Sequence, residues 1–214
     1  LAQTAEGAFV NAADSLQRMR ELAVQARNAT NSDSDKDALD AEFGQLASEV
    51  QRIFTGTTFN GKTIVGAQAG AQVFQIGAGT AAADSISITT TNMSTQADIT
   101  KVAGTDLAGA GRAVIDNTST ATTLGTVIDD IDKALDTVNA ERATYGAIQN
   151  RFDSVVKNLG TSIEQSTAAR SRIMDADFAT ETANLAKYQI LQQASASMLA
   201  QSNQSSGLIL KLLA

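Results

Sequence analysis

The residues best suited to chemistry in this sequence form the string Gly56-Thr-Thr-Phe-Asn-Gly61-Lys62-Thr63. Its spacing matches the phosphate-binding loop of nucleotide-binding proteins, in which backbone N–H groups and a following helix N-terminus hold the phosphates. That loop needs a strand before it and a helix after it. Here a helical pattern precedes the string and β-branched residues follow it. A turn at Asn60-Gly61 therefore explains the glycine better than nucleotide binding does.

Three alternating aspartates, Asp33, Asp35 and Asp37, resemble the opening of a calcium-binding loop. Such a loop also needs glycine at its sixth position and glutamate at its twelfth. The corresponding residues are Ala38 and Gly44. We therefore predict that these carboxylates serve a helix N-terminus and that the sequence has no metal site.

A serine-nucleophile string, S-x-x-K, occurs at Ser154–Lys157, but its companion strings S-D-N and K-T-G do not occur. The carboxylates Asp129, Asp130 and Asp132 are typical of a solvated helix face. The chain has no His and no Cys, so the commonest general base and all thiolate chemistry are missing. We predict no catalytic residue, no cofactor and no enzymatic activity.

The composition excludes further classes of protein. The formal charge of the 214-residue chain is -7, without a Lys/Arg cluster, so we expect no nucleic-acid partner. Aromatic residues make up only 4% and Trp is absent, so small aliphatic side chains must pack in narrow helix–helix contacts. Without Pro, long helices run without enforced kinks. The missing Cys agrees with a cytosolic protein and equally with a surface protein exported unfolded.

Two N-terminal stretches show apolar residues at alternating steps of four and three, the heptad spacing of packed helices. Polar residues 28–33 separate them, and Ser34 is predicted to cap the second helix with Asp37 as its capping-box partner. The short connection predicts an antiparallel helical hairpin. The first pattern comprises Ala5, Phe9, Ala12, Leu16, Met19, Ala23 and Ala26, and the second Leu39, Phe43, Leu46, Val50 and Ile53.

The pattern changes to β-structure after Thr55. Asn60-Gly61 predicts a tight hairpin because both central turn residues need a positive φ. Residues 72–76 and 85–89 alternate like half-buried strands. Residues 90–123 are rich in Thr, Ala, Gly and Asn with weak periodicity, so we expect a small, variable, solvent-exposed insertion with one short helix.

Helical spacing resumes at Leu124 in two parts, with Arg142 between them and a one-residue phase slip after Tyr145. Such a slip indicates local overwinding or a change of packing partner. Asp175 and Asp177 then head a final helix. The apolar residues of the two parts are Ile128, Ile131, Leu135 and Val138, followed by Tyr145, Ile148, Phe152, Val155 and Leu159.

The final helix is predicted to be amphipathic, with an apolar stripe that nothing in this chain can cover. From Gln189 to Leu210 there is no charge, only large apolar residues among Gln, Ser, Ala and Asn. The amides and hydroxyls exclude a membrane span. A helix of about 35 residues is roughly 50 Å long, too long to fold back onto a small core. We therefore expect the chain to polymerise.

The chain begins inside a helical pattern at Leu1, without an initiator methionine or a secretory signal, so we expect that an upstream segment has been removed. Near this end, Leu22 lies outside the first heptad pattern. It shares a helix face with Arg18 and Gln25. We expect this leucine to face outward among its polar neighbours.

Long strings at both ends are specific in their order and content. They are Leu1–Ala8, Leu16–Gln25 and Phe59–Gly61 in the first part, and Ala168–Thr180, Gln189–Gln193, Leu199–Asn203 and Leu210–Leu213 in the last. Through these strings the chain resembles bacterial flagellin over residues 1–66 and 124–214.

The resemblance implies a mainly α fold, an elongated rod of long coiled-coil-like helices with a small β-hairpin region and a short variable insertion. Residues 1–89 and 124–170 would form the rod domain, 90–123 the variable surface insertion, and 175–214 the C-terminal arm of the filament's inner tube. The implied function is a structural subunit of the flagellar filament in motility. Flagellins leave the cell unfolded through the export channel, which implies an extracellular location on the flagellum.

Six apolar residues of the arm are expected to make subunit contacts: Phe178, Leu185, Leu191, Met198, Leu208 and Leu212. The implied partners are further copies of the chain, an export chaperone and the filament cap. Flagellins pair this arm with an N-terminal arm that precedes Leu1. Without that segment we expect no native filament.

The resemblance also implies recognition of the rod domain by toll-like receptor 5 of a host. Arg18, Leu22 and Gln25 match the main contact positions of the family. Glu42 matches a neighbouring position, and Arg151 matches one on the C-terminal helix.

Two alternatives differ in class from a filament subunit. A flagellin-like surface protein could hold a glycan or host ligand within residues 57–122, although that segment offers only Phe59 and Phe74 for stacking on a sugar. An enzyme within the variable region is the other alternative, and the missing His argues against it.

Overall fold

The computed structural model describes residues 1–175 and 177–212, with side chains described up to residue 204. The helices are α1 (Ala2–Ala26), α2 (Asp33–Gly56), α3 (Ala97–Ala103), α4 (Ala121–Met174) and α5 (Phe178–Leu212). The strands are β1 (Thr58–Phe59), β2 (Lys62–Thr63), β3 (Ala71–Gln75) and β4 (Ser85–Thr89). The prediction of a mainly α fold with long helices and small β-hairpins is confirmed.

The chain divides into two compact units, Leu1–Lys157 and Asn158–Ala214. The division between the units lies within α4. The predicted boundary at 170–175 lies instead where α4 ends and α5 follows. The predicted assignment of these segments to a rod and an arm stays a prediction.

α1 and α2 form the predicted antiparallel hairpin, and the heptad pattern decides which side chains are buried. All seven predicted positions of α1 are at most 1% exposed. Phe43, Val50 and Ile53 of α2 are buried, while Leu39 and Leu46 pack partly buried against the same core. The Phe9 ring of α1 lies against Phe54 of α2, with centroids 6.1 Å apart.

α1 also packs along α4, and the two helices run antiparallel. Arg20 forms an ion pair with Asp132 at one level, and Gln149 donates a hydrogen bond of 2.7 Å to Glu6 at the other. A helix that contacts two neighbours buries a wider stripe than a two-helix contact needs. Besides the heptad positions, α1 buries Ala8, Ala13 and Leu22.

The N-terminus of α2 differs from the prediction by two residues. The cap is Ser32, not Ser34, and its capping-box partner is Asp35, not Asp37. The Ser32 Oγ accepts a hydrogen bond from the Asp35 N–H, and the Asp35 carboxylate accepts one from the Ser32 N–H at 3.0 Å. The observed pair Ser32–Asp35 and the predicted pair Ser34–Asp37 both have the three-residue spacing of a capping box. Starting at Asp33 places two carboxylates in the first turn, where the helix dipole favours them.

The Asn60-Gly61 hairpin is confirmed. β1 and β2 pair antiparallel with Phe59 opposite Lys62, and φ is 51° at Asn60 and 77° at Gly61. A two-residue turn with both φ values positive matches the twist of the flanking strands. β3 and β4 form the second predicted hairpin, with Phe74 opposite Ile86.

The expectation that residues 90–123 form a solvent-exposed insertion is wrong. This segment contains the short helix α3, as predicted, but five of its apolar side chains are fully buried in the core of the first unit. Gln51 of α2, itself fully buried, donates from its side-chain amide to the Gly104 carbonyl. The sequence periodicity did not predict this packing, because some of the buried residues lie on the short helix α3 and the others lie outside any long helix or strand. They are Met93, Ile99, Val102, Ala103 and Ile115.

The phase slip in α4 coincides with a change of packing partner. Tyr145 contacts α1, with its ring centroid 5.4 Å from that of Phe9. Two turns later Phe152 meets Phe74 of β3 edge-on, at 5.5 Å. The aromatic contacts of α4 thus pass from α1 to β3 across the slip, in agreement with a change of packing partner.

No helix among the described residues is both long and apolar enough to cross a membrane.

Candidate assembly and receptor surfaces

The four predicted assembly residues whose side chains are described are all exposed on α5. Phe178 is 80% exposed, Leu185 59%, Leu191 52% and Met198 72%. Leu208 and Leu212 lie outside the described side chains. Every described residue of α5 up to Gln204 is exposed, including Tyr188 and Ile190. No described side chain of this helix is buried within the chain.

The apolar surface of α5 is broader than the stripe that the sequence predicted. With 3.6 residues per turn, its large apolar side chains spread over roughly two thirds of the helix circumference. A helix that is apolar over so much of its surface is typically enclosed by neighbours on several sides. The side chains that define this surface are Phe178, Leu185, Tyr188, Ile190, Leu191, Met198 and Leu199.

The N-terminus of α5 is fixed locally by Asp177, as the sequence indicated. Its carboxylate accepts hydrogen bonds from the N–H groups of Ala179 and Thr180, at 3.1 and 3.3 Å. A further hydrogen bond from the Thr180 hydroxyl, with these N–H groups, lowers the pKa of Asp177. This cap fixes the helix start without any contact from another element.

Arg18 and Glu42 come together on the α1–α2 hairpin. Arg18 contacts Glu42 at 2.9 Å and also Glu21, one turn along α1, at 2.9 Å. These hydrogen bonds, Glu21 first and Glu42 next, raise the pKa of the Arg18 guanidinium. About half of each side chain in the Arg18–Glu42 pair is solvent-exposed. The pair is a charged patch that a partner can reach.

The prediction that Leu22 faces outward is wrong, because this side chain is 0% exposed. It follows Met19 by three residues and precedes Ala26 by four, and both are buried on the same helix. Arg18, one turn before Leu22 on the same face, pairs with Glu42 of α2. This face of α1 therefore lies toward α2, and the buried stripe extends beyond the heptad positions to Leu22.

The remaining proposed receptor residues, Gln25 and Arg151, are exposed but not adjacent. Gln25 lies two turns beyond Arg18 on α1 and so on nearly the same face. Arg151 lies near the level of Glu6, since Gln149 contacts that residue. At 1.5 Å per residue, Arg18 is therefore roughly 20 Å further along the hairpin. The structure brings together Arg18 and Glu42 and leaves Arg151 apart.

An ion pair between Asp40 and Arg112 was not predicted. Its side chains are only 15% and 20% exposed, and the Arg112 Nη2 lies 2.6 Å from an Asp40 carboxylate oxygen. The same carboxylate accepts a hydrogen bond from the Ile115 N–H at 2.9 Å. Partial burial alone would raise the pKa of Asp40, but the hydrogen bonds from Arg112 and Ile115 bring it below its usual value.

This pair ties residues 112–115 to α2, and no sequence signal could have revealed it. The two residues are 72 positions apart, and neither belongs to a motif. Arg112 also lies over the Phe43 ring, 6.0 Å from its centroid.

The strings with possible chemistry have other roles in the structure. Gly56 ends α2, and the rest of the phosphate-loop string forms β1, the turn and β2, so no helix N-terminus faces it. Asp35 caps α2, and Asp37 accepts a hydrogen bond from the Asn117 N–H at 3.1 Å. Among the described residues, no group of three or more His, Cys, Asp or Glu side chains could hold a metal ion.

Tyr145 is a buried titratable group in the α1–α4 contact, where its ring lies against that of Phe9. Burial, followed by the nearby charge of Glu141, raises the pKa of Tyr145 to about 12. Its hydroxyl has no hydrogen-bond partner in the part of the chain that the structure describes. At 1% exposure this phenol contributes to packing and is inaccessible to a substrate.

Two family models match this chain. The bacterial flagellin N-terminal helical region matches residues 1–69, and the bacterial flagellin C-terminal helical region matches residues 128–213. The matched ranges contain α1, α2 and the first hairpin at one end, and most of α4 with α5 at the other.

Individual proteins agree with these matches. A flagellin of Halalkalibacterium halodurans is 39% identical over 213 residues, covering 100% of this chain and 74% of the relative. A flagellar filament 30.7 kDa core protein of Treponema maltophilum is 36% identical, covering 99% and 74%. The crystal structure of Bacillus cereus flagellin superposes with a TM-score of 0.58 at 29% identity, covering 73% of this chain and 82% of that one.

Proposed function

This chain belongs to the bacterial flagellin family and is a structural subunit of the flagellar filament, and we propose that it associates with further copies through α5. The observation that carries this proposal is the exposure of large apolar side chains along the whole described part of that helix. A coiled-coil contact with neighbouring subunits would cover them.

Burial of these side chains would supply substantial free energy. A fully buried Leu, Met or Phe side chain contributes about 1.5–3 kcal/mol relative to exposure. The side chains of Phe178, Leu185, Leu191 and Met198 are more than half exposed, so burying them yields roughly 5 kcal/mol per subunit before the costs of association. Many subunits contribute the same contact, so a polymer gains this energy at every addition.

The assembly test compares the wild-type chain with a variant carrying Leu185→Gln, Leu191→Gln and Met198→Gln. Light scattering and electron microscopy over a concentration series measure self-association. We expect the wild type to associate and the triple variant to remain monomeric with unchanged helicity. The control, Val73→Gln, alters a side chain that is 67% exposed on β3 and should associate like the wild type. Association that is the same in all three proteins would contradict the role of α5.

The family's other partners and its location extend this proposal. We propose an extracellular location on the bacterial flagellum, reached with an export chaperone, and growth of the filament beneath a cap. We further propose that the chain has no catalytic activity. The Tyr145 phenol, whose pKa is raised to about 12, is buried and cannot reach a substrate. A glycan-binding role for residues 57–122 is not favoured, because residues 90–123 supply five fully buried side chains to the core.

For toll-like receptor 5 we propose the charged patch formed by Arg18 and Glu42, together with Gln25 and, at a distance, Arg151. The support is exposure and geometry: the first two side chains meet in a salt bridge, and Gln25 lies on nearly the same face. Leu22 is buried, so it could take part only through a local opening of the helix packing that covers it.

The receptor test uses Arg18→Asp and a matched control, Arg52→Asp. Arg52 also pairs with a glutamate on its own helix and is exposed, but it lies near the other end of α2. We expect Arg18→Asp to lower activation of receptor-expressing cells at least tenfold, while Arg52→Asp activates normally. Circular dichroism checks that both variants keep wild-type helicity. Equal activation by the two variants would remove the patch from the proposal.

A further inference from the structure

The turn at Asn60-Gly61 is exposed and chemically vulnerable. We propose that Asn60 is a site of spontaneous deamidation, at which the side-chain amide is converted to a carboxylate without any enzyme. Four observations support this site: the residue pair, its exposure, its free polar groups and the short strands that hold it.

The residue after an asparagine controls the reaction, because its backbone nitrogen is the attacking atom. Gly61 has no side chain to obstruct that approach. The surroundings are also open, since a Cβ built at Gly61 would have no neighbouring heavy atom within 4 Å. Phe59, Asn60, Gly61 and Lys62 are all exposed, so water reaches both reacting groups.

Neither reacting group is occupied by a hydrogen bond. In the described part of the chain, the Asn60 amide and the Gly61 N–H have no intramolecular partner. Asn31-Ser32 offers the opposite case. There the Asn31 amide donates to the Gln25 carbonyl at 2.6 Å, and the Ser32 N–H donates to the Asp35 carboxylate at 3.0 Å. At that second site the attacking nitrogen and the leaving amide are both held.

The attack requires a backbone rotation away from the turn conformation, so the hairpin must open. β1 and β2 contain two residues each, and three of these four side chains are exposed. Two-stranded hairpins are marginally stable by themselves, and segments with few buried contacts open at low cost in free energy. The turn can therefore reach the reactive geometry while the helical core stays folded.

The step balances with water as the co-reactant. The Gly61 amide loses its proton to a base and the nitrogen attacks Cγ of Asn60, forming a C–N bond. The bond from Cγ to the side-chain nitrogen breaks, and ammonia leaves with the proton it needs. Water then opens the five-membered imide at either carbonyl, giving aspartate or isoaspartate. Because the attacking nitrogen must be deprotonated, the rate rises with pH.

The two products have different structural consequences. Aspartate at position 60 still suits a two-residue turn with positive φ, and it adds one negative charge. Isoaspartate adds a methylene group to the backbone between Asn60 and Gly61. The pairing of Phe59 with Lys62 depends on the length of the turn, so this product breaks the hairpin register.

The test incubates the intact chain in heavy-oxygen water at mildly alkaline and mildly acidic pH. Peptide mass spectrometry then measures the converted fraction at every asparagine over time. We expect Asn60 to convert first, at least tenfold faster than Asn31, which corresponds to about 1.4 kcal/mol between the two barriers. The alkaline sample should convert faster, and both aspartate and isoaspartate should carry the heavy oxygen.

Two variants complete the test. Asn60→Asp has no amide to lose and should release no ammonia at this position. Isoaspartate that forms slowly from this aspartate, through the same imide, measures the background. In Gly61→Ser the added side chain shields the attacking backbone nitrogen of residue 61, so conversion of Asn60 should slow. A synthetic 57–65 peptide with the same substitution has no folded hairpin, so it separates this shielding from strain at the positive φ of residue 61. Conversion at Asn60 no faster than at Asn31, or a rate independent of pH, would overturn the proposal.

Discussion

α1 and α5 are both long helices rich in Ala, yet their largest apolar side chains differ in burial. In α1 the large apolar residues Phe9, Leu16, Met19 and Leu22 are 0% exposed. In α5 every described side chain is exposed. The difference lies in arrangement, because apolar residues of α1 follow heptad spacing toward two partner helices, while those of α5 surround most of its circumference.

The comparison shows that the number of apolar residues in a helix does not predict whether they are buried within the same chain. α1 finds its partners within the chain, and its packing fixes the fold. α5 carries comparable side chains with no described contact to cover them, which is the arrangement expected of a surface completed by other subunits. Stability and assembly can therefore be altered separately by mutation.

The largest expected effect follows from truncating one aromatic residue on each helix. Phe9→Ala removes a ring that contacts Phe54 and Tyr145, so we expect a loss of about 3–5 kcal/mol in the free energy of unfolding. Phe178→Ala removes a ring that is 80% exposed, so its effect should stay within about 0.5 kcal/mol. Urea titration followed by circular dichroism measures both. A similar loss in the two variants would contradict the contrast between the helices.

A smaller effect is expected at the Asp40–Arg112 pair. Asp40→Asn leaves the Arg112 guanidinium without its counter-charge, and we expect a loss of about 2 kcal/mol at neutral pH. The folded-state pKa of Asp40 is below its unfolded value, so this stabilisation is complete above pH of about 4 and is lost as pH falls through the folded pKa.

A pH series of urea titrations checks this prediction. The stabilities of wild type and Asp40→Asn should begin to converge as pH falls below about 4 and should meet only below the folded pKa of Asp40, because the protonated carboxyl resembles the amide. Asp132→Asn serves as the control. Its pair with Arg20 is nearly half exposed, so its loss at neutral pH should be smaller. A gap between wild type and Asp40→Asn that persists in acid would reject the ion-pair explanation.

The smallest effect distinguishes the observed cap of α2 from the predicted one. Ser32→Ala removes the hydrogen-bond acceptor for the Asp35 N–H and should cost about 1 kcal/mol. Ser34→Ala, two residues later within the first turn, should change the stability by only a few tenths of that. Thermal unfolding of the two variants gives the comparison, and equal melting temperatures would place the cap elsewhere.

Local patterns in the sequence predicted much of this fold. Heptad spacing identified the buried positions of α1, and Asn60-Gly61 identified the first hairpin, because each depends only on neighbouring residues. The same spacing failed at Leu22. Whether a position beside the main stripe is buried depends on how closely the neighbouring helices approach it, which the spacing within α1 does not encode.

Residues 90–123 show what such patterns cannot reveal. Ile99 and Ile115 are fully buried. Gln51 holds this segment by a hydrogen bond to the Gly104 carbonyl, and Asp40 holds it by an ion pair with Arg112. Each contact joins positions distant in sequence, and the segment's Thr and Gly content is typical of exposed loops. At the proposed assembly surface, the sequence predicted that the apolar residues of α5 are exposed. It did not predict how widely they are distributed around the helix.

The loop at residues 105–111 gives the first unit a natural place to carry foreign sequence. A hydrogen bond from the Thr105 N–H to the Ala110 carbonyl, at 2.9 Å, holds the two ends of the loop together. Directly after the loop, Arg112 forms its ion pair with Asp40 of α2. Leu107 at its tip is 56% exposed. The entropic cost of closing a loop grows only slowly with its length, so a peptide grafted after Leu107 would be displayed while the core beneath it keeps its packing.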